Sequence, residues 1–504
     1  ITNNGDIGER PLRSCADCQR FCRNKICTPA DLSVHKDSSS FTASGAEKDE
    51  TENKYLSEHG LIYGENKIGK KSVFQYLWNA TGQTSIDDHF VNIALINIKQ
   101  LVTVAADGQR VKTGKDMQNL GILENAAVLV EDETISWCGK MDELSMSSIK
   151  EADIVDCRDN VVMPGFVDSH THLLFGGSRE NEFAMRSAGA TYQEIAARGG
   201  GILSTVTQVR SMQKKDLKKE ARHRLTQLLR HGTTTVEIKS GYGLNMENEV
   251  KILEAITELG KEEVISIVPT FLGAHAVPPE YKTDKGSFVN DIINTMIPYI
   301  GKKKLALFCD AFCEEGYFSV DECRRILQAG IKHGMQAKLH GDELSSCGGA
   351  ELAAEIGAVS VDHLEHISDI GIRALAKTGV IATLLPGVSF FLNHRYAPAR
   401  KLIESGATVA IATDFNPGSC MSYSMPMMMT IACTQMNLSP EETITASTLN
   451  AAAAIGLSHE IGSIEQGKKA DLIVLDIPNY KFLPYHFGEN FVVKVVKRGI
   501  VLEF

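Results

Sequence analysis

From Val161 to Ile461, short apolar runs alternate with longer stretches of helical periodicity, and this alternation restricts the fold of the 504-residue chain more than any other feature. Runs of strand length recur at Val161–Val167, Thr233–Lys239, Val264–Phe271, Leu305–Asp310, Met335–His340, Val359–Asp362, Val380–Leu385 and Thr408–Asp414. Between them lie helix-like stretches such as KKDLKKEARHRLTQLLRHG, NEVKILEAITELGKE, SVDECRRILQAGIKHG and AELAAEIGA, several closing with the Gly that a helix C-terminus favours. Strands alternating with helices mark a parallel sheet. Eight such units are the count of an α/β TIM-like (β/α)8 barrel, in which chemistry sits at the C-terminal ends of the strands.

The flanks have a different period. VNIALINIKQLVTVA, AAVLVEDETISWCG and ADIVDC precede the alternating region, and ADLIVLD and FVVKVVKRG follow it. Each reads as a short strand bounded by turn residues. Neither set closes a sheet alone, so residues 88–160 and 462–504 together predict one small β-sandwich built from both ends, flanking a barrel at 161–461. Residues 1–87 are polar, as in SSSFTASGAEKDETENK, and bury too little apolar surface to offset the entropy of ordering. They predict a disordered leader foreign to the rest. Within it Cys15, Cys18, Cys22 and Cys27 are spaced so that four thiolates can close a zinc knot. Too few apolar residues surround them to pack a module, and a metal there stays an open alternative. The polar start ITNNGDIGERPLRS has no secretory signal and does not begin with Met, which suits a fragment or a conceptual translation.

A net charge of -11 removes any global basic field for nucleic acid or anionic lipid. No apolar run approaches the ~20 residues of a membrane span. The partner expected is a small-molecule substrate. Outside the leader, Cys138, Cys157, Cys309, Cys313, Cys323, Cys347, Cys420 and Cys433 are scattered singly, as reduced thiols are in a cytoplasmic enzyme.

The strand tips carry the chemistry. In VVMPGFVDSHTH, strand alternation puts His170 and His172 on one side of a rigid tip, a half-built metal site. The third strand runs into GAHA with His275. The fifth ends in AKLHGDE with His340 and Glu343, the sixth in VDHLEH with His363 and His366, and the eighth in AIATDFNPGS with Asp414. A random scatter of 15 histidines would not collect at barrel tips while the strand bodies stay apolar. A hydrogen-bonded core or loop histidine is the alternative for each, and the preferred reading for His366. The run Met425-Pro426-Met427-Met428-Met429 reads as core filling rather than a copper site.

With a His-x-His after strand one, a His on each of strands five and six, an Asp after strand eight and a split β-sandwich, the chain resembles the amidohydrolase superfamily. The stretches FGGSRENEF, EIKSGYGLN, FLGAHAVPPEY, LHGDE and TDFNPGS are similar to its branch that opens the cyclic amide of 4-imidazolone-5-propanoate in histidine degradation. The similarity covers roughly Ile93 to Val501. It implies one divalent metal ion, zinc or iron, on His170, His172, His340 and Asp414. Binuclear relatives bridge two ions with a carboxylated lysine at the end of strand four; here that strand reads LALFCDAFCEEG, and Lys239 ends strand two instead. Such an ion lowers the pKa of a bound water toward ~7. Asp414 would hold that water, His363 would orient it or steady the developing oxyanion, and Glu343 would move a proton to the ring nitrogen. For the substrate, the resemblance implies contacts from Tyr242, His275 and Glu343. Arg179 can grip its carboxylate with two prongs, or instead be a surface arginine paired with Glu180 or Glu182. Asn416, Gly418 and Ser419 are expected to offer polar and backbone groups. Homodimerisation is expected by analogy with relatives.

Rival readings stay open. A deaminase of guanine, cytosine or formimidoyl-glutamate would share the metal site but lack an arginine aimed at a propanoate. A non-catalytic scaffold of the same fold would have lost ligands.

Overall fold

The structure, a computed structural model, describes residues 92–191, 194 and 198–504. The expected leader at 1–87, with Cys15, Cys18, Cys22 and Cys27, lies outside the described residues. Strands β1 (Ile93–Val102), β2 (Ile122–Glu131), β3 (Thr134–Lys140), β4 (Asp153–Asp156) and β5 (Val161–Pro164) come first. Strands β6 (Phe166–Asp168), β7 (Thr233–Lys239), β8 (Ser266–Ala274), β9 (Phe308–Cys313), β10 (Gln336–Gly341), β11 (Ser360–His363), β12 (Ile381–Leu384) and β13 (Val409–Ile411) alternate with helices. Strands β14 (Asp471–Leu475), β15 (Val492–Lys497) and β16 (Ile500–Glu503) close the chain.

Strands β6 to β13 pair in sequence order, each parallel to the next. The cylinder closes where the Asp414 N–H donates to the His170 carbonyl at 3.0 Å and the His172 N–H to the Phe415 carbonyl at 3.0 Å. The closing bonds therefore join the very backbone that carries His170, His172 and Asp414. Expected helices form at Lys214–Arg230, Met246–Glu262, Val320–Lys332 and Gly349–Ile356. Ser319 opens one of them with a capping box to Glu322, satisfying backbone N–H groups that have no partner inside the helix. The methionine run opens the largely buried helix Met425–Met436, in keeping with core packing.

The second sheet runs β16-β15-β14-β5-β1-β2-β3, with β4 on β1. Both ends of the chain contribute, and the sheet rolls up: Ile135 on β3 bonds to Lys468 and Gly467, just before β14. Ile98, Val128, Leu472 and Val496 share the apolar core inside the roll.

The first apolar run is split between the two sheets. Val161–Pro164 pairs with β1 and β14, whereas Phe166–Asp168 starts the barrel beside β7. The hinge is Gly165, where a Cβ would collide with the Thr234 side chain. The third and fourth barrel strands extend about three residues beyond the predicted Val264–Phe271 and Leu305–Asp310, to Ala274 and Cys313. In β9 the run is interrupted by Asp310, a charge that reads as a strand end, yet the whole strand is buried because Lys239 neutralises that carboxylate from a distant part of the chain.

Candidate metal centre

His170 and His172 emerge just past β6, His340 lies in β10, His363 ends β11, and Asp414 follows β13. Each of the five is at most 3% exposed. Ligating atoms of His170, His172 and His340 lie within 4.8 Å of one another, as do those of His170, His363 and Asp414. The inner carboxylate oxygen of Asp414, Oδ1, is 3.4 Å from His170 Nε2 and 3.5 Å from His172 Nε2, and His340 Nε2 is 3.4 Å from His172 Nε2. His170 Nε2 and Asp414 Oδ1 have no hydrogen-bond partner. Buried polar atoms without partners are costly, so a convergent group of them indicates an interaction that hydrogen bonding does not supply. Three imidazoles and one carboxylate are the nitrogen and oxygen donors that zinc and iron(II) accept. Burial holds the His170 and His172 rings well below the ordinary histidine range, which keeps them neutral with lone pairs available. Burial, with Glu343 next in effect, pushes Asp414 up. The donor set fits a divalent cation.

The far side of each ring is tethered. His170 Nδ1–H donates to Asp362 Oδ2 at 2.6 Å, and His340 Nδ1–H lies 3.0–3.1 Å from the Asp310 oxygens. A carboxylate on Nδ1 fixes the tautomer and turns Nε2 inward. Burial disfavours charge on both acids. The His340 ring and Lys239 nonetheless hold Asp310 well below the usual range, and Lys338 and Lys239 lower Asp362.

Around this cluster, Glu343 stands with Oε2 3.7 Å from His363 Nε2. Burial and the nearby Glu314 push its carboxyl up to about 8. Its neighbour Asp342 turns away from the cluster, accepts the backbone N–H groups of Cys347, Gly348, Gly349 and Ala350, and so anchors the loop that presents Glu343. His363 adopts φ +83°, a region costly for a side chain with a Cβ, and strain of this kind collects at functional sites. Behind it, Glu365 Oε2 lies 3.9 Å from His363 Nδ1. His366 is outside the converging group.

On the open side, the Arg179 guanidinium forms a two-nitrogen ion pair with Glu182 at 2.7 and 3.0 Å, and packs on Gly418, where a Cβ would collide with it. The ion pair with Glu182, expected of a surface arginine, therefore coexists with a position over the Asp414 loop. His275 stacks on His172 at 4.9 Å between centroids, and Tyr242 lies 5.8 Å from the same ring. The turn carrying Tyr242 is clamped by buried Glu249, which accepts the N–H groups of Gly241, Gly243 and Leu244 at 2.7–3.1 Å. His275 Nδ1–H is given to the Gly241 carbonyl at 3.0 Å, which couples the two rings through one turn.

Asn416, Gly418 and Ser419, expected to offer groups to the substrate, are hydrogen-bonded within their own turn. The Gly418 and Ser419 N–H groups donate to Asn416 Oδ1 at 2.7 and 2.8 Å, while the Asn416 amide and Ser419 hydroxyl donate to Asp414 Oδ2 at 3.0 and 3.3 Å. The backbone groups are thus already used inside the turn, and the side chains hold the outer oxygen of Asp414 while its inner oxygen faces the histidines. Sequence reasoning did not single out Asp310, Asp362, Glu237, Glu249 or Glu365. For Glu237, Asp310 and Asp362 the available signal was an acid inside an otherwise apolar strand, which is stable only when paired; Glu249, in a helix, and Glu365, in the turn after β11, carried no such signal.

A barrel with this cluster at its strand tips is the architecture of metal-dependent hydrolases. Residues 161–501 match the amidohydrolase family. Solved structures of similar fold include a triazine hydrolase variant (TM-score 0.64, 17% identity, 81% of this chain and 94% of that one). Another is the guanine deaminase of E. coli (TM-score 0.63, 15% identity, 82% and 99%). The chain is 50% identical over 409 residues to the imidazolonepropionase of Geobacillus sp. strain WCH70, covering 81% of this chain and 96% of that protein. It is 48% identical over 412 residues to that of Clostridium tetani, covering 82% and 98%. The chain belongs to the amidohydrolase family, among its imidazolonepropionases.

Proposed function

We propose that this enzyme hydrolyses the cyclic amide of 4-imidazolone-5-propanoate to N-formimidoyl-L-glutamate, with His170, His172, His340 and Asp414 holding one divalent ion, zinc or iron. The observation that carries this reading is the convergence of four buried ligand atoms, of which His170 Nε2 and Asp414 Oδ1 have no hydrogen-bond partner. When bound, such an ion polarises a carbonyl and acidifies a water.

The chain's own groups do the rest. Arg179 grips the propanoate carboxylate, exchanging Glu182 for the ligand, and so fixes which end of the molecule enters. Tyr242 and His275 form the wall against which the five-membered ring lies. Asp414, steadied by Asn416 and Ser419, accepts a hydrogen bond from the attacking water. His363 orients that water or donates to the oxygen on which negative charge develops. Water oxygen bonds to the ring carbonyl carbon and the carbon–nitrogen bond breaks. Glu343 takes the water proton and delivers it to the departing nitrogen; a carboxyl pushed up to about 8 by burial and Glu314 can hold and release a proton near neutrality.

The eight described cysteines outside the leader are free, which suits a cytoplasmic enzyme. No helix among the described residues is long and apolar enough to cross a membrane. A homodimer is the expected assembly by analogy with relatives. The test is loss of the ultraviolet absorbance of imidazolone-propanoate on incubation with metal-replete protein, with ammonia assayed in parallel. Ring opening frees none. Ammonia release would instead mark a deaminase.

A further inference from the structure

Lys239 ends β7 with its ammonium fully buried, on a strand that carries none of the candidate ligands. Its Nζ is 2.8 Å from Glu237 Oε1, 2.8 Å from Asp310 Oδ2 and 3.6 Å from Asp362 Oδ2. Asp310 holds His340 and Asp362 holds His170, each through the ring's Nδ1. Glu237 reaches the strand between the first two histidines: its Oε2 accepts the Thr171 N–H at 3.3 Å, its carbonyl accepts the Thr171 hydroxyl at 2.7 Å, and the Lys239 N–H donates to the Thr171 carbonyl at 2.9 Å. One cation is therefore linked, through a single intervening residue each, to His170, His340 and the backbone between His170 and His172.

We infer that Lys239 is a positioning residue for the metal centre: its charge holds Glu237, Asp310 and Asp362 in the arrangement that aims His170 and His340 at one point. The physical reason is charge balance in a site without water. Three carboxylates packed this closely repel one another and would each rotate toward any other donor; a shared ammonium attracts all three at once and removes that freedom. Lys338 supports the same arrangement from β10, 3.7 Å from Asp362 and hydrogen-bonded to the Ser169 carbonyl at 3.3 Å, so Asp362 keeps a second cation when Lys239 is removed. Lys239 is not the carboxylated bridge of binuclear relatives, because its nitrogen is occupied by these carboxylates and stands behind the histidines rather than among them.

The inference rests on the proposed metal site, and the test separates the two. Zinc affinity is measured by chelator competition for the full chain, and the visible spectrum of the cobalt(II)-loaded protein reports ligand geometry. Wild type should bind one ion and Lys239→Met should bind it about 10–100-fold more weakly, the usual effect of losing an outer partner. Its cobalt spectrum should be altered while circular dichroism of the metal-free protein keeps the wild-type shape, with a lowered unfolding midpoint because the buried carboxylates lose their shared cation. Lys239→Met leaves buried carboxylates uncompensated, so the charge-balanced double variant K239M/E237Q is measured beside it and should show the same weakening. Asp362→Asn and Asp310→Asn, which keep the lysine, should weaken zinc to a similar degree. Folded K239M or K239M/E237Q protein with wild-type zinc affinity and spectrum would overturn the role of Lys239 alone. Wild-type protein that binds no zinc would overturn the metal site and this inference with it.

Discussion

His170 Nδ1 lies 2.6 Å from Asp362 Oδ2, although 192 positions separate the two residues along the chain. The bond ties the tip of β6 to β11 and leaves the opposite ring nitrogen facing Asp414 Oδ1 at 3.4 Å. Because that nitrogen has no hydrogen-bond partner, the ring's orientation is set from behind rather than by its own contacts in the cluster.

Removal of a ligand should therefore differ from removal of a tether. Asp414→Ala takes away the inner oxygen itself, and bound metal measured by elemental analysis should fall by more than the ~10–100-fold in affinity expected of an outer partner. Circular dichroism should be unchanged. Full metal occupancy in Asp414→Ala would exclude that residue from the ligand set.

Arg179→Met should raise KM with metal content intact, because it removes a charge-assisted contact worth about 1.5–3 kcal/mol. Gly418→Ala should imitate it, since a Cβ there displaces the guanidinium. Steady-state kinetics decide: a wild-type KM in both variants, or loss of metal in either, would remove Arg179 from the carboxylate site.

Glu249→Gln should disturb substrate binding from behind the wall. Its carboxylate accepts three backbone N–H groups of the Tyr242 turn, and an amide presents a donor to at least one of them. A KM raised about tenfold, equivalent to ~1.4 kcal/mol, is expected with zinc affinity unchanged. A variant with wild-type KM would show that the position of Tyr242 does not matter to binding.

The metal-free protein should lose stability as pH rises from about 4.5 to about 8 in part through Glu343, whose folded carboxyl is raised from 4.5 to about 8 by burial and Glu314. Across that window the folded chain keeps a proton that the unfolded chain has released, so the contribution is fully present below the lower value and gone above the upper one. Glu343→Gln should flatten this part of the pH dependence, read as the difference in Tm from wild type between pH 4 and 9. A difference that stays constant across the range would mean that Glu343 ionises at its ordinary value.

The strand count and the residues at the strand tips were legible in the chain alone, because apolar runs at regular spacing leave few packings and a barrel must bring its C-terminal strand ends together. His170, His172, His340 and Asp414 stand out for that reason: each follows an apolar run and none has a local reason to be there. What only the tertiary structure decided is pairing across distance. Val161–Pro164 belongs to one sheet and Phe166–Asp168 to the other, because Gly165 alone fits beside Thr234. Asp310 and Asp362 are isolated charges in their strands until the barrel closes and Lys239, at the end of β7, comes within reach of both, so a distant partner rather than the local sequence determines where they are stable. The use of Asn416 and Ser419 to steady Asp414 was hidden for the same reason: a polar loop reads alike whether its hydrogen bonds turn inward or reach for a ligand.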